Sequence, residues 1–303
     1  EEKKEVTVQA GMLTAKLLAI IMPRGFTLVS LSGSLGNTIA GDISNDVNGK
    51  DGFKHGNFGA NVVALKIATA SGTIMDINAQ NNEELYNALI GGLGLIGVIL
   101  EVTLKLKSIS SFVVKSAGIR FSSISDLVQG MNSIDPGKTD FAYCWTDPYA
   151  PNNSLGRGIC EMGAFTEDNG DYSATNLVAG FEQKNKFGLF EPKTFWWLYR
   201  KLEFKAAYQI AGYLKYFFNS SAYRQQLFTA YQYPMVKYLP QWNLKYYPLG
   251  FREWQILFSS KNFESAYKTV LLLCRQYNFV PYICAVKKHK AQNSYLSFSG
   301  DGF

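Results

Sequence analysis

The chain has 303 residues, long enough for two domains of ordinary size. Hydrophobic residues make up 47% and charged residues 18%, which excludes a disordered chain. The net charge of +6 is mild and comes without a long basic run, which argues against nucleic acid as a partner.

The chain opens EEKKEVTVQAG. An acidic–basic cluster runs straight into a strand pattern over residues 5–9, so no secretory leader is expected. Residues 14–22 predict a helix with Leu17, Leu18 and Ile21 on one face, closed by Pro23 and Gly25. Two glycine-rich stretches follow, SLSGSLGNTIAG (30–41) and GDISNDVNGKDGFKHGNFG (41–59). Such backbone can turn its N–H groups toward phosphates or flat heterocycles. A long surface loop accounts for the composition equally well.

Strands are expected over 61–69 and 73–77, joined at Ser71-Gly72. Asn81 or Asn82 can cap a helix running to Leu89, with Glu83 and Glu84 in its favourable first turn. Residues 92–97 read GLGLIG, a formal match to GxGxxG. The dinucleotide fingerprint requires a strand before it and a helix after it. Here a helix precedes and the alternating strand over 98–107 follows, so a nicotinamide site is rejected. The glycines serve a tight helix-to-strand turn, or let backbone approach a different cofactor.

Beyond Ser108 a strand is expected over 111–120 and a helix over 123–131, then strands over 141–145 and 158–165. Residues 186–250 are dense in Phe, Trp and Tyr. Strand 252–258, amphipathic helix 262–277 and returning strand 280–288 close the chain. On strand 252–258, Glu253 and Gln255 share a face with Leu257. Gln255, with Lys287 on the adjacent strand, could hold a sugar hydroxyl and a phosphate; two solvated polar residues at strand edges weigh equally. The stretch KTFWWLYRKLEFKAAYQIAGYLKYFF (193–218) mixes rings with basic residues. It suits a membrane interface or the receipt of a lipid-linked substrate, but a helix packed on a sheet is favoured.

The fold class is α+β. Residues 1–108 hold four of the 44 aromatics, nine basic and ten acidic residues, so the positive surplus lies wholly beyond them. Two domains with different jobs, 1–108 and 109–303, account for this contrast. The four cysteines form no CxxC pair, and Cys274 reads as a buried small hydrophobe. This usage points to a reducing, cytoplasmic setting. With two histidines, a His-based metal site is not expected.

The run SGSLGNTIAGDISNDVNGKDGFKHGNFGANV, followed by a strand and then ELYNALIGGLGLIGVILEVTLKL, resembles the FAD-binding domain of the vanillyl-alcohol-oxidase (PCMH-type) flavoproteins. Within them it is most similar to the oxidase subunits of decaprenylphosphoryl-β-D-ribose 2′-epimerase and their relatives. The likeness continues through WTDPYAPNNSLGRG (145–158), YQYP, QWN and LGFREWQ (231–255), and VKKHKAQNSYLSFSGDGF (286–303), in collinear order. It implies part of a PCMH-type FAD-binding domain followed by an antiparallel-sheet substrate, or cap, domain, with the flavin at their junction.

The resemblance also implies roles. Ser32, Gly33, Ser34 and Thr38 would sit against FAD, with Gly41, Ser44 and Asn45 lining the same cradle. Asn48, Gly49 and Lys50 would lie beside the isoalloxazine ring, and Gly94 to Val98 near the adenine. Tyr233, Gln255 and Lys287 would face substrate, with Lys50 and Lys287 as the catalytic cations. A fixed cation at the ring favours reduced, anionic flavin.

Two departures stand out: Asn48 and Glu253 replace the family's usual histidine and glutamine. Asn48 cannot tether FAD, which would be held noncovalently, and it cannot titrate as imidazole does. The family's pyrophosphate loop is expected before Glu1 and its terminal catalytic lysine beyond Phe303, so the chain reads as a fragment.

The implied activity is FAD-dependent oxidation of a sugar alcohol by hydride transfer, on a polyprenyl-phosphate-linked pentose. The alternatives are an aldonolactone or sugar-alcohol oxidase of the same fold, and a non-catalytic fragment. A reductase or epimerase partner and peripheral membrane contact complete these expectations.

Overall fold

The computed structural model describes residues 3–182, 191–201, 205–218, 223–234, 241–248, 250–279, 281 and 283–303. The chain divides into two compact units. The first comprises Glu1–Val113, Phe165–Phe181 and His289–Asp301; the second Val114–Ala164, Glu182–Lys288 and Gly302–Phe303. Mixed helices and antiparallel sheets make the fold α+β.

In the first unit, strands β1 (Glu5–Gln9), β2 (Phe26–Leu28), β3 (Val62–Ala68), β4 (Ile74–Ile77) and β5 (Val98–Ser108) form one antiparallel sheet. Its order is β1-β5-β3-β4, with β2 also on β5. The long β5 buries Ile99, Val102 and Leu104. Strict alternation would put Ile99 and Val102 on opposite faces. A register shift resolves this: Glu101 pairs with Lys66 but Ile99 with Ile67, so an extra residue bulges between them. Helix α1 (Thr14–Ile21) buries Leu17, Leu18 and Ile21 and runs into a short 3₁₀ turn. That turn ends at Gly25, whose φ of 82° is left-handed.

The glycine-rich stretch is more ordered than a loop. It contains α2 (Ile39–Ser44), α3 (Gly52–His55) and a 3₁₀ turn at Phe58–Asn61. Thr38 starts α2, its Oγ1 accepting from the Gly41 N–H at 3.1 Å. Helix α4 (Glu83–Leu89) has Asn82 at its N-cap, but the Asn82 side chain makes no capping bond there.

The second unit's sheet has the order β10-β7-β8-β6-β9. Its strands are β6 (Val113–Phe121), β7 (Phe141–Thr146), β8 (Gly158–Phe165), β9 (Arg224–Leu227) and β10 (Ala285–Val286). Helix α5 (Ile124–Asn132) is capped by Ser123, which accepts from the Asp126 N–H; the next helix along the chain, α6 (Ala174–Gly180), belongs to the first unit. Leu127 and Met131 of α5 share a core with Phe121, Cys144, Phe303, and Phe263 and Leu271 of a later helix, Phe263–Gln276.

Three expectations are corrected here. Residues 252–258 form no strand. Arg252 to Gln255 are exposed, and Phe258 makes reciprocal backbone bonds with Phe303. The alternation of REWQILF is real, but among the described residues that segment pairs with no sheet edge. Of the strand expected over 280–288, only Ala285–Val286 pair, with β7; Val280 and Tyr282 lie outside the described residues. The cysteines, read as suiting a reducing setting with Cys274 buried, stand differently. Cys144 and Cys160 face each other across β7 and β8 and form a disulfide, while Cys274 is only half-buried.

Candidate functional site

The site is assembled around α2, whose first turn is fixed by side chains from the loop before it. Ser32 Oγ accepts from the Ser34 N–H at 3.1 Å and from Asn37 Nδ2 at 3.2 Å. Asn37 Nδ2 also donates to Asp42 Oδ1 at 2.7 Å, and Thr14 Oγ1 donates to Asp42 Oδ2 at 2.5 Å. Asn45 Nδ2 closes the helix end on the Gly41 carbonyl at 2.9 Å. Ser32, Ser34, Thr38, Gly41 and Asn45 are thus one hydrogen-bonded loop-and-turn.

The second glycine-rich segment docks on the same helix. The Gly91 N–H donates to the Ile43 carbonyl at 2.9 Å, and the Leu93 N–H to the Ser44 carbonyl at 2.8 Å. Residues far apart in sequence, Ser44 and Gly94, are therefore neighbours. Gly94 takes a φ of 74°, which a side chain would disfavour. Open space surrounds the point where a Cβ would stand at Gly94 and at Gly33. Leu93, Leu95, Ile96 and Val98 are exposed beside Gly94, giving an apolar rim.

Gly49 behaves oppositely. A Cβ there would overlap the Leu31 carbonyl, so two backbones touch at this point. Asn48 and Lys50, its neighbours, are half-buried.

Beneath the loop lies a buried polar layer that the sequence reading missed. Asp46 Oδ1 accepts from the Gly59 N–H at 2.6 Å, and Ser297 Oγ donates to Asp46 Oδ2. The Asn57 N–H donates to Gln292 Oε1 at 2.9 Å, and Asn57 Nδ2 to the Phe298 carbonyl at 2.9 Å. Asn61 Oδ1 accepts from the Ser30 N–H at 2.8 Å. Burial raises the pKa of Asp42 and of Asp46 despite the bonds that favour their ionised forms. Tyr86, which donates to the Val62 carbonyl, is pushed up to about 12 by burial and by Asp46. The available signal was Asp42 and Asp46 themselves, two acids four residues apart on either side of the apolar Ile43.

Such a cradle suits a large, flat, anionic ligand. It offers backbone without side-chain obstruction at Gly33 and Gly94 and an apolar rim for a ring. The FAD-binding domain family matches residues 1–78, within this same unit. The chain is 32% identical to bovine L-gulonolactone oxidase over 154 residues, 51% of this chain and 34% of that protein. It is 25% identical to decaprenylphosphoryl-β-D-ribose oxidase of Mycolicibacterium smegmatis over 163 residues, 54% and 35% of the two chains. D-arabinono-1,4-lactone oxidase of Kluyveromyces lactis is 29% identical over 156 residues, 51% and 28%. The chain thus spans about a third of the length of these relatives.

The other expected residues lie in the second unit. Tyr233 is buried and meets the Phe228 ring edge-on, with centroids 6.0 Å apart. Gln255 is exposed, and its Nε2 donates to Glu253 Oε1 at 2.6 Å. Lys287 follows β10 and is half-buried. Among the described residues no group of His, Cys, Asp and Glu could hold a metal ion.

Proposed function

We propose that this chain is part of an FAD-dependent oxidoreductase that oxidises a carbinol carbon of a sugar or sugar lactone. The observation that carries this reading is the open backbone at Gly33 and Gly94, gathered on α2, with Gly33 and α2 inside residues 1–78, which match an FAD-binding domain. The relatives' substrates, by name, are aldonolactones and a lipid-phosphate-linked ribose. FAD, when bound, supplies the hydride acceptor.

In this reading the chain's own groups bind and orient. Ser32, Thr38 and Asn45 hold the loop in the shape that presents its amides. Lys50 supplies a half-buried positive charge beside the ring. Asn48 has no nucleophilic ring nitrogen, so the flavin is held noncovalently. Lys287 is the proposed partner of substrate phosphate, and the basic surplus beyond residue 108 suits a phosphate-bearing sugar. An aldonolactone is the second reading, favoured by the higher identity to L-gulonolactone oxidase.

The full-length protein, purified with added FAD, should show a flavin absorbance band that acid precipitation releases into the supernatant. Absence of the band defeats the oxidoreductase reading, and flavin retained in the pellet defeats noncovalent binding. Turnover of L-gulono-1,4-lactone against a polyprenyl-phosphoryl pentose separates the two substrates. Lys50→Ala should keep the flavin and lose about tenfold or more in turnover.

A further inference from the structure

Helices α7 (Pro192–Lys201) and α8 (Lys205–Phe218) of the second unit carry their apolar residues on the wrong side for a packed helix. The inward face of α8 is the partly polar one. Tyr208 stacks on Tyr149, and Gly212 lies against Asp147. Lys215 Nζ sits 4.3 Å above the Trp145 ring, and Arg157 lies 4.6 Å from the Tyr216 ring. The exposed residues are Ile210, Tyr213, Leu214, Phe217 and Phe218, at the i, i+3, i+4, i+7, i+8 spacing of one helical stripe; Tyr213 and Phe217 form its inner edge, with Arg157 5.9 and 5.4 Å from their rings. Ile210 is 59% and Phe218 75% exposed.

Helix α7 repeats the pattern. Trp196 is buried, while Trp197 and Leu198 are exposed, one turn from exposed Lys193 and Lys201. Lys201 Nζ lies 5.7 Å from the Trp197 ring. Among the described residues of both helices there is no acidic side chain.

We propose that α7 and α8 form a docking surface for an anionic phospholipid bilayer, the stripe entering the acyl boundary and Lys193 and Lys201 meeting lipid phosphate. Charge decides the occupant. A second copy packed on the same face about a two-fold axis would set this basic rim against its own like charges. An anionic leaflet neutralises it. No helix among the described residues is long and apolar enough to cross a membrane, so the contact is a surface one.

The test is co-sedimentation of the full chain with phosphatidylcholine vesicles, with and without phosphatidylglycerol. Binding should require the anionic lipid and fall as salt rises. Leu214→Glu/Phe218→Glu should weaken it by about tenfold or more, with the circular dichroism spectrum unchanged because both side chains are exposed. Lys193→Glu/Lys201→Glu leaves the stripe intact and should cost a similar factor, so the proposal stays testable if the first pair fails to fold. Three results overturn it: no sedimentation with anionic vesicles, equal binding to neutral ones, or wild-type binding by the charge-reversed pair. A dimer in solution that Leu214→Glu/Phe218→Glu converts to monomer would assign the face to a second copy instead.

Discussion

A methyl group on Gly49 would overlap the carbonyl oxygen of Leu31, whereas one on Gly33 would meet nothing. The two glycines therefore answer different tests. Gly49→Ala forces two backbones apart and should cost about 1–3 kcal/mol of stability, read as a lowered melting temperature without any ligand. Gly33→Ala should leave that stability within about 0.5 kcal/mol. If flavin lies where the open backbone points, Gly33→Ala should still weaken FAD affinity, measured by titration of the released flavin's fluorescence. Unchanged affinity would remove Gly33 from the cradle. The sequence made both glycines visible but not this difference, because which carbonyl passes Gly49 depends on how the chain runs at Leu31, eighteen residues earlier.

Asp46 poses the matching electrostatic question. Burial raises its folded pKa above the unfolded value of 3.8. A raised carboxyl pKa means the folded state holds the proton more tightly. Its relative contribution to stability is complete below the unfolded pKa and is lost as pH rises through the folded one. Asp46→Asn cannot titrate. The variant's melting temperature should fall less than the wild type's between acid and neutral pH. Parallel curves would mean that Asp46 does not set this slope.

At the scale of elements, the legible pieces were those whose signal is local. Strand β1 follows alternation, as do β3 and β5 on either side of their register shifts, and α5 follows Ser123 and its apolar spacing. What escaped was pairing. REWQILF alternates like a strand yet has no ladder partner among the described residues. The α2 and α3 turns were hidden by glycine, whose low helix propensity was overridden by the Thr38 cap and by burial of Ile39 and Ile43. The Cys144–Cys160 bond escaped too, since sixteen residues of spacing say nothing until β7 and β8 are placed in register. Closing a loop of that length constrains the unfolded chain by about 3 kcal/mol. Cys144→Ser/Cys160→Ser, or reduction of the wild type, should therefore lower the second unit's stability by about that amount in denaturant. Loss of hydrogen-exchange protection should concentrate in β7 and β8. No change on reduction would mean that the bridge does not form in solution.

At the scale of the whole molecule, the composition contrast at Ser108 marks a real change in character but says nothing of where the chain returns. Residues His289–Asp301 belong to the first unit although they follow nearly the whole of the second. They are held by Gln292 on Asn57, by the Phe298 carbonyl on Asn57, and by Ser297 on Asp46. These groups are buried or partly buried, and a buried polar atom stripped of its partner costs about 1–3 kcal/mol. Deleting residues 289–303 would strip three such contacts at once from the polar layer beneath the glycine-rich loop. The expected outcome is lost hydrogen-exchange protection at 57–61, measured against the intact chain, together with weakened FAD binding. Because the deletion also removes Phe303 from the second unit's core, the decisive comparison is Gln292→Ala/Ser297→Ala. That pair touches only the first unit. If it leaves protection at 57–61 and FAD affinity unchanged, the returning segment does not hold the cradle in shape.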